Sequence, residues 1–206
     1  MSQLKLTADG GGGTVAIKGP ASTAGNAAIE LTVPGTANGT ILTSNSSLGK
    51  ILQVVQVAKT DTASTTSTTF GDISGLSQAI TTVAGSKVLC LGNFFFGSVA
   101  AYSTWFRLVR VDVDGSTNYP WLGDADSTAT RASAGNYNGS YNYQANNSTF
   151  HALDTPSGAG SHTYKIQWKQ GYSGGYTSYI GRDYQGSTDS SRGRIPSSLT
   201  LIEVAA

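Results

Sequence analysis

The alternation of apolar and polar positions predicts strands along much of the chain after residue 50. In TWFRLVRVDVDGS (104–116) one phase is apolar and the other charged, with Val109, Val111 and Val113 alternating with Arg110, Asp112 and Asp114. We expect the valines to face a core, the charged residues to face water, and Asp114-Gly115 to form a hairpin turn. SHTYKIQWKQG (161–171) predicts a similar strand with three inward residues, Tyr164, Ile166 and Trp168.

Three other segments are apolar on both phases: KILQVVQVAKT (50–60), SKVLCLGNFFFGS (86–98) and SLTLIEVAA (198–206). In the last of these, Leu199 and Leu201 alternate with Ile202 and Val204, so neither face suits water. A strand of a two-sheet sandwich meets the core on one face and water on the other. These segments therefore predict a second buried surface, and subunit association is its simplest source.

The whole pattern favours an all-β fold with roughly eight to ten strands at spacings near ten residues and no convincing helix. Weaker strand candidates complete the set, at 64–73, 77–83, 148–153 and 175–182. Thr, Val, Ile and Tyr are plentiful, whereas strong helix formers are scarce. The predicted fold is a single antiparallel β-sandwich or jelly roll.

The first 47 residues differ from the rest because no aromatic residue precedes Phe70. Aromatic side chains supply much of a core's area, so we expect residues 1–47 to form an extended arm before a domain at 48–206. The arm has β-like fragments at 14–18 and 27–33. We expect it to dock on another chain through the glycine run and four apolar residues: Gly10, Gly11, Gly12, Gly13, Val15, Ile17, Ile29 and Leu31.

Composition removes several classes of partner. The net charge is +1, which gives no long-range field for nucleic acid or an acidic membrane. The start of the chain lacks a signal peptide and no window is long enough to span a membrane, so we expect a product made in the cytosol and no membrane insertion. The single cysteine, Cys90, excludes an internal disulfide and is interpreted as a small buried hydrophobe.

Two long segments, 124–149 and 171–194, interleave tyrosine with Gly, Ser, Asn and Arg, as recognition loops do. They supply the candidate receptor-contact residues Tyr137, Tyr141, Tyr143, Tyr176, Tyr179, Arg182, Arg192 and Arg194. Alternatively, the tyrosines only cover the ends of a sandwich. The three arginines could hold an anionic glycan group, but pairing with Asp183 and Asp189 is the favoured interpretation.

Catalytic patterns are sparse. The two histidines, His151 and His162, lie in or beside strand candidates, and neither neighbours a nucleophile motif or a metal-ligand spacing. The aspartates of DVDGST (112–117) and GDADST (123–128) lack the remaining ligands of a calcium loop. We therefore expect no enzymatic activity, no metal and no cofactor.

GGGGTVAIKGPASTAGNAAIELTVPG, GKILQVVQVAKTDTASTTSTTFGDISGL and SSLTLIEVAA together resemble a family of small virion proteins of marine bacteriophages, described as tail-fibre or structural proteins. The resemblance implies a jelly roll similar to the trimeric tumour-necrosis-factor-like domains and an arm that docks on the virion. No catalytic residues come with the resemblance, and this chain departs from many fibres in lacking a long coiled-coil or collagen-like shaft. A homotrimer would bury the two-faced strands, and its candidate interface residues are Ile51, Leu52, Val54, Val55, Leu199, Leu201, Ile202 and Val204.

The sequence thus predicts a non-enzymatic protein of the virion surface. In the leading hypothesis it is a short fibre or adhesin whose arm docks to other virion proteins and whose loops contact a host-surface glycan or protein. In the second hypothesis it is a capsid decoration protein whose trimers stabilise the head. A carbohydrate-active depolymerase is a weaker third possibility.

Overall fold

The computed structural model describes the backbone of Gln3–Thr7 and Thr14–Lys18, and all atoms of residues 51–99, 102–139, 141–186 and 190–205. The chain divides into two units, Met1–Ser46 and Ser47–Ala206. Every regular element in these described ranges is a strand, so the fold is all-β, as predicted.

The N-terminal unit contains two paired strands, β1 (Gln3–Thr7) and β2 (Thr14–Lys18). They run antiparallel, with Gln3 opposite Lys18 and Thr7 opposite Thr14. β2 coincides with the predicted fragment at 14–18 and carries Val15 and Ile17, whereas β1 was not predicted. The predicted fragment at 27–33 and the other docking candidates lie outside the described residues, namely Gly10, Gly11, Gly12, Gly13, Ile29 and Leu31.

The second unit is a sandwich of two antiparallel sheets. Sheet 1 has the strand order β3 (Ile51–Lys59), β13 (Ser197–Val204), β6 (Lys87–Ser98), β12 (Ser178–Ile180) and β4 (Ala63–Thr65), and β10 (Asn146–Asp154) pairs with β6. Because β6 is twelve residues long, β13 and β12 pair with different parts of it. Its other edge pairs with β10.

Sheet 2 has the order β5 (Gly71–Thr82), β11 (Gly160–Gln170), β7 (Ser103–Val111) and β8 (Thr117–Asn118), and β9 (Ala134–Tyr137) also pairs with β7. β5 is one strand where the sequence predicted parts of two. Gly75, which has a φ of +85°, lies in its middle and accommodates an irregular step that other residues adopt only with strain.

The core lies between the sheets and is rich in aromatic residues. The rings of Phe94 and Phe106 stack with centroids 4.9 Å apart, and Phe96 meets Phe106 edge-on at 5.1 Å. β11 contributes the three residues predicted to face inward, Tyr164, Ile166 and Trp168, all of them buried. Cys90 is also buried, as expected, and burial raises the pKa of its thiol.

The alternation of β7 was assigned to the wrong phase. Arg110 and Asp112 are buried, whereas Val113, expected to face the core, is 62% exposed. The inward residues of β7 are instead Thr104, Phe106, Leu108 and Arg110, and Val109 on the opposite phase is buried as well. Arg110 and Asp112 can point inward because other strands supply buried partners for them, Asp154 on β10 and His162 on β11. The predicted turn is confirmed, since the Gly115 N–H donates to the Asp112 carbonyl at 2.9 Å.

The two tyrosine-rich segments are not continuous loops. β9 and the start of β10 lie within 124–149, and β12 lies within 171–194. β12 lies between β6 and β4 in sheet 1, and its Tyr179 pairs with Gly97 of β6 and with Ser64 of β4. The sandwich thus fixes part of each segment and leaves shorter connections to form its surface.

Candidate recognition surface

The two tyrosine-rich segments meet at one end of the sandwich, where β6 ends and β7 begins. The backbone N–H of Gln185 donates to the Asn142 carbonyl at 3.2 Å. The Arg192 Nη1 group donates to the Tyr143 carbonyl at 3.4 Å. We call this surface the aromatic end, and its members are Tyr102, Tyr137, Tyr141, Tyr143, Tyr172, Tyr176, Tyr179, Tyr184, Arg182 and Arg192.

One cluster of the aromatic end is centred on Tyr102, which precedes β7. Its ring stacks on Tyr176 with centroids 4.2 Å apart and contacts Tyr172 at 4.8 Å. Tyr137 lies near these rings because its strand, β9, pairs with β7 and places Tyr137 opposite Ser103. A hydrogen bond with the Tyr176 hydroxyl, together with burial and the neighbouring phenols, raises the pKa of Tyr102 to about 12. Tyr102 was not among the residues singled out from the sequence.

The second cluster combines tyrosine rings with arginine. Tyr141 and Tyr143 stack with centroids 5.3 Å apart, and the Arg192 guanidinium lies 5.0 Å from the Tyr143 ring centre. Arg192 also forms an ion pair with buried Asp183, with 3.2 Å between Nη1 and Oδ2. This pairing agrees with the favoured interpretation for Arg192 alone of the three arginines, while Asp189 lies outside the described residues.

The remaining candidates lie beside this cluster. The Arg182 guanidinium stacks 3.7 Å from the centre of the Tyr179 ring, which in turn meets Tyr184 edge-on at 5.8 Å. Arg194 is exposed. Arg182 and Arg192 therefore each form a cation–π contact with a tyrosine ring. Such contacts position the guanidinium near the surface and leave part of the ring exposed to water.

Close backbone approach fixes the segment that carries these arginines. A side chain at Gly97 would place its Cβ 2.3 Å from the Asp183 carbonyl carbon and from the Tyr184 nitrogen. The Gly181 N–H donates to the Phe95 carbonyl at 2.7 Å. Asn138 ties the other segment to the same place, because its side-chain amide donates to the Ser98 carbonyl. Both segments are thus anchored on the end of β6.

Much of the aromatic end faces solvent. Four tyrosines are more than half exposed: Tyr137, Tyr141, Tyr143 and Tyr172. Tyr176 and Tyr179 are half-buried. Rigid, partly exposed rings next to amide and hydroxyl groups give large contact area at low conformational cost, which suits recognition of another molecule. The structure brings seven of the eight receptor-contact candidates into these interactions.

The opposite end of the sandwich carries a buried ionic cluster that the sequence did not predict. Arg110 donates to Asp112, which directly follows the same strand, at 2.7 Å and to Asp154 on β10 at 2.5 Å. The Tyr164 hydroxyl donates to Asp154 at 2.7 Å, and His162 Nδ1 lies 2.6 Å from Asp112. We call these five residues the ionic clasp, because Asp154 belongs to sheet 1 and the other four belong to or directly follow strands of sheet 2.

The ionic clasp is a structural element. His162 is 1% exposed, and its second ring nitrogen lies 3.2 Å from the Gly158 carbonyl, so neither nitrogen faces a substrate. Burial acts to raise the pKa of Asp112, but hydrogen bonds from Arg110 and His162 outweigh it and hold that pKa below its usual range. Among the described residues, no group of His, Cys, Asp and Glu is arranged to hold a metal ion.

The predicted interface residues fall into two sets. Leu199 and Leu201 are fully buried in the core of the sandwich, and Val55 packs against that core from β3. Leu199 and Leu201 therefore offer no surface to another subunit, which corrects their assignment, whereas Val55 is half-buried. The other five lie on the outer face of sheet 1 or at its edge, either exposed or half-buried: Ile51, Leu52, Val54, Ile202 and Val204.

No family model and no curated protein sequence matches the chain. Two solved structures of infectious bursal disease virus are similar over 98% of this chain: a chain of the Gt strain, with 16% identity and a TM-score of 0.42, and a chain of the Gx strain, with 17% identity and a TM-score of 0.39. This protein spans less than half of those chains, 46% and 45%. No described helix is long and apolar enough to cross a membrane.

Proposed function

We propose that this chain is a non-enzymatic structural protein of a virion surface, in which the aromatic end contacts a glycan or protein on the host. The observation that carries the proposal is the convergence of two tyrosine-rich segments, far apart in sequence, on one exposed surface. The virion assignment is supported by the resemblance of the N-terminal and domain-opening segments to phage virion proteins.

The N-terminal unit is the proposed attachment to the particle. β1 and β2 pair with each other, so each leaves its outer edge without a partner among the described strands. Edge strands present N–H and C=O groups to a neighbouring chain and can add to its sheet. A docking arm of this kind serves a fibre and a capsid decoration protein equally well.

Adsorption tests the host-contact role. We expect particles carrying Tyr137→Ala, Tyr141→Ala and Tyr143→Ala together to adsorb to host cells at least about tenfold more slowly, since aromatic anchors dominate such contacts. A matched control replaces Tyr119 and Trp121, which are exposed outside the aromatic end. Unchanged adsorption by the triple variant, with normal assembly, would contradict the proposal. Competition with soluble host glycans then identifies the ligand as sugar or protein.

Deletion of residues 1–47 separates the second candidate, capsid decoration. If the arm clamps the head, particles assembled with the deleted protein lose heat resistance, whereas wild-type particles retain it. If the protein is a fibre, capsids stay heat-resistant and the deleted protein is absent from purified particles. Loss of heat resistance together with unchanged adsorption of the tyrosine variant would favour decoration over host contact.

A further inference from the structure

Four aliphatic residues form a continuous row across the outer face of sheet 1. Val54 of β3 lies opposite Ile202 of β13, Ile202 lies opposite Leu89 of β6, and Leu89 lies opposite Leu153 of β10. Their neighbours along each strand point into the core, so these four point away from it. The row therefore crosses four strands without a polar interruption.

Residues on both sides of this row widen it into a patch. Val204 lies next to Ile202 on the same face of β13 and pairs with Ile51, and Leu91 follows Leu89 on β6. Ile51 is 62% exposed, Val54 57% and Leu153 56%. We call this patch the aliphatic face, and its members are Ile51, Leu52, Val54, Leu89, Leu91, Leu153, Ile202 and Val204.

The polarity of sheet 1 changes along its length. Toward the aromatic end, the outward positions become mostly polar: Gln56, Thr200 and His151 in line with Leu91, then Ser198, Asn93 and Thr149. Within β3, β6, β10 and β13, the charged side chain that points outward is Lys87, at the rim nearest the ionic clasp. Two copies of the aliphatic face can therefore meet without bringing like charges together at its centre.

The aliphatic face can form the centre of a specific contact. It covers four strands about 4.8 Å apart and about five residues of each strand, rising about 3.3 Å per residue, which gives roughly 20 by 15 Å. Two such faces in contact remove on the order of 600 Å² from water, and the polar positions beside them enlarge the contact toward the roughly 1,000 Å² of a specific interface. Contiguous exposed apolar patches of a few hundred Å² often mark interaction sites.

From this geometry we infer that a second copy of this chain covers the aliphatic face. Flat rows of branched side chains on two sheets interdigitate as they do in a sandwich core. The contact uses the half of sheet 1 near the ionic clasp, so each aromatic end remains open. The inference does not depend on the proposed function, because it rests on β3, β6, β10 and β13 and on none of the tyrosines.

Light scattering on the full chain at rising concentration tests the inference. We expect an oligomer of two or three copies. Val54→Lys and Leu153→Lys should raise its dissociation constant by about 30-fold or more, because each places a charge in an apolar contact. Val113→Lys is the matched control, since Val113 is equally exposed but lies outside the aliphatic face. Thermal unfolding confirms that each variant folds. A monomeric wild type, or an unchanged oligomer in both lysine variants, would overturn the inference.

Cross-linking identifies what covers the face. Cys90 is buried, so Leu153→Cys introduces the reactive thiol, which is labelled with a maleimide-linked benzophenone. Photolysis should join position 153 to residues 51–54, 89–91 or 202–204 of a second copy, with isotope-mixed protein showing that the link is between chains. Cross-links to residues 19–50 instead would show that the chain's own N-terminal segment covers the face, and the inference would be wrong.

Discussion

The two ends of the sandwich use the same kinds of side chain in opposite ways. At the clasp end Arg110 is surrounded by two carboxylates and excluded from water, and the Tyr164 hydroxyl is fully buried with them. At the aromatic end Arg192 pairs with one carboxylate, that of Asp183, and its guanidinium lies against the ring of Tyr143, which is about half exposed to solvent. Burial and pairing, rather than residue type, separate the two ends.

This difference indicates which end can change at low cost. Removing one partner from a buried ionic group leaves an unpaired charge in a poor solvent, whereas exposed groups can be replaced with small effects on stability. The clasp end is therefore expected to tolerate little substitution. The aromatic end can vary its side chains while the sheets beneath it keep their structure, which is the property that a recognition surface requires.

The largest effect is expected from Arg110→Met. It leaves Asp112 and Asp154 buried without their shared cation, and such changes cost about 3–5 kcal/mol. Urea unfolding measures the loss, and Arg194→Met at the other end should cost less than about 0.5 kcal/mol. Adding Asp112→Asn and Asp154→Asn to Arg110→Met should recover part of the stability. If Arg110→Met and Arg194→Met are equally stable, the two ends do not differ as described.

The second-largest effect is expected from acid, which should lower the free energy of unfolding through carboxylates at the clasp end. The pKa of Glu203 is lowered because hydrogen bonds from Ser86, Gln53 and the Val83 N–H outweigh its burial, and the pKa of Asp112 is lowered as well. The stability that these carboxylates add is present above their unfolded pKa values, about 4, and is lost as the pH falls through the lower folded values. The stability difference between wild type and Glu203→Gln should therefore be largest at neutral pH and shrink below about pH 4 in urea titrations. A constant difference would contradict this prediction.

The smallest effect concerns a single proton at the aromatic end. Tyrosinate absorbance should show one phenol that titrates near pH 12, assigned to Tyr102 by its loss in Tyr102→Phe. Tyr176→Phe removes the hydrogen bond that holds this proton, so Tyr102 should then titrate closer to the usual value of about 10. Protein stability at neutral pH should hardly change. A Tyr102 that titrates near 10 in the wild type would show that the cluster is open to water.

Sequence patterns predicted the positions of the strands better than which face of each strand points into the core. β11 was assigned correctly because its apolar residues occupy one phase alone, with lysines and glutamine on the other. β7 has apolar residues on both phases near Leu108 and Val109, so the charges appeared to mark the solvent side. The distant partners that hold Arg110 and Asp112 inward, Asp154 for the first and His162 for the second, lie more than forty positions away. A pattern confined to one strand contains no information about them.

The candidate site shows the same limit. Composition identified Tyr141, Tyr143 and Arg192, because recognition surfaces use a recognisable set of residue types. It did not identify Tyr102, which is outside both tyrosine-rich segments and joins the surface through the pairing of β7 with β9 and through its ring contacts with Tyr172 and Tyr176. The signal that could have found it is its position immediately before a predicted strand. For the aliphatic face, the sequence identified β3 and β13, whereas Leu153 became evident only from the strand register.

Gly97 allows the surface segments of the aromatic end to be changed without changing the strand beneath them. Since β6 has no side chain there, the backbone of Asp183 and Tyr184 lies directly on the strand. Residues around that crossing can change in sequence, provided that glycine is kept at 97 and the chain still crosses it. The protein is therefore suited to loop grafting: libraries diversified at 172–177 and 184–191, with Gly186 and Arg192 kept, should retain the sandwich while changing what it binds.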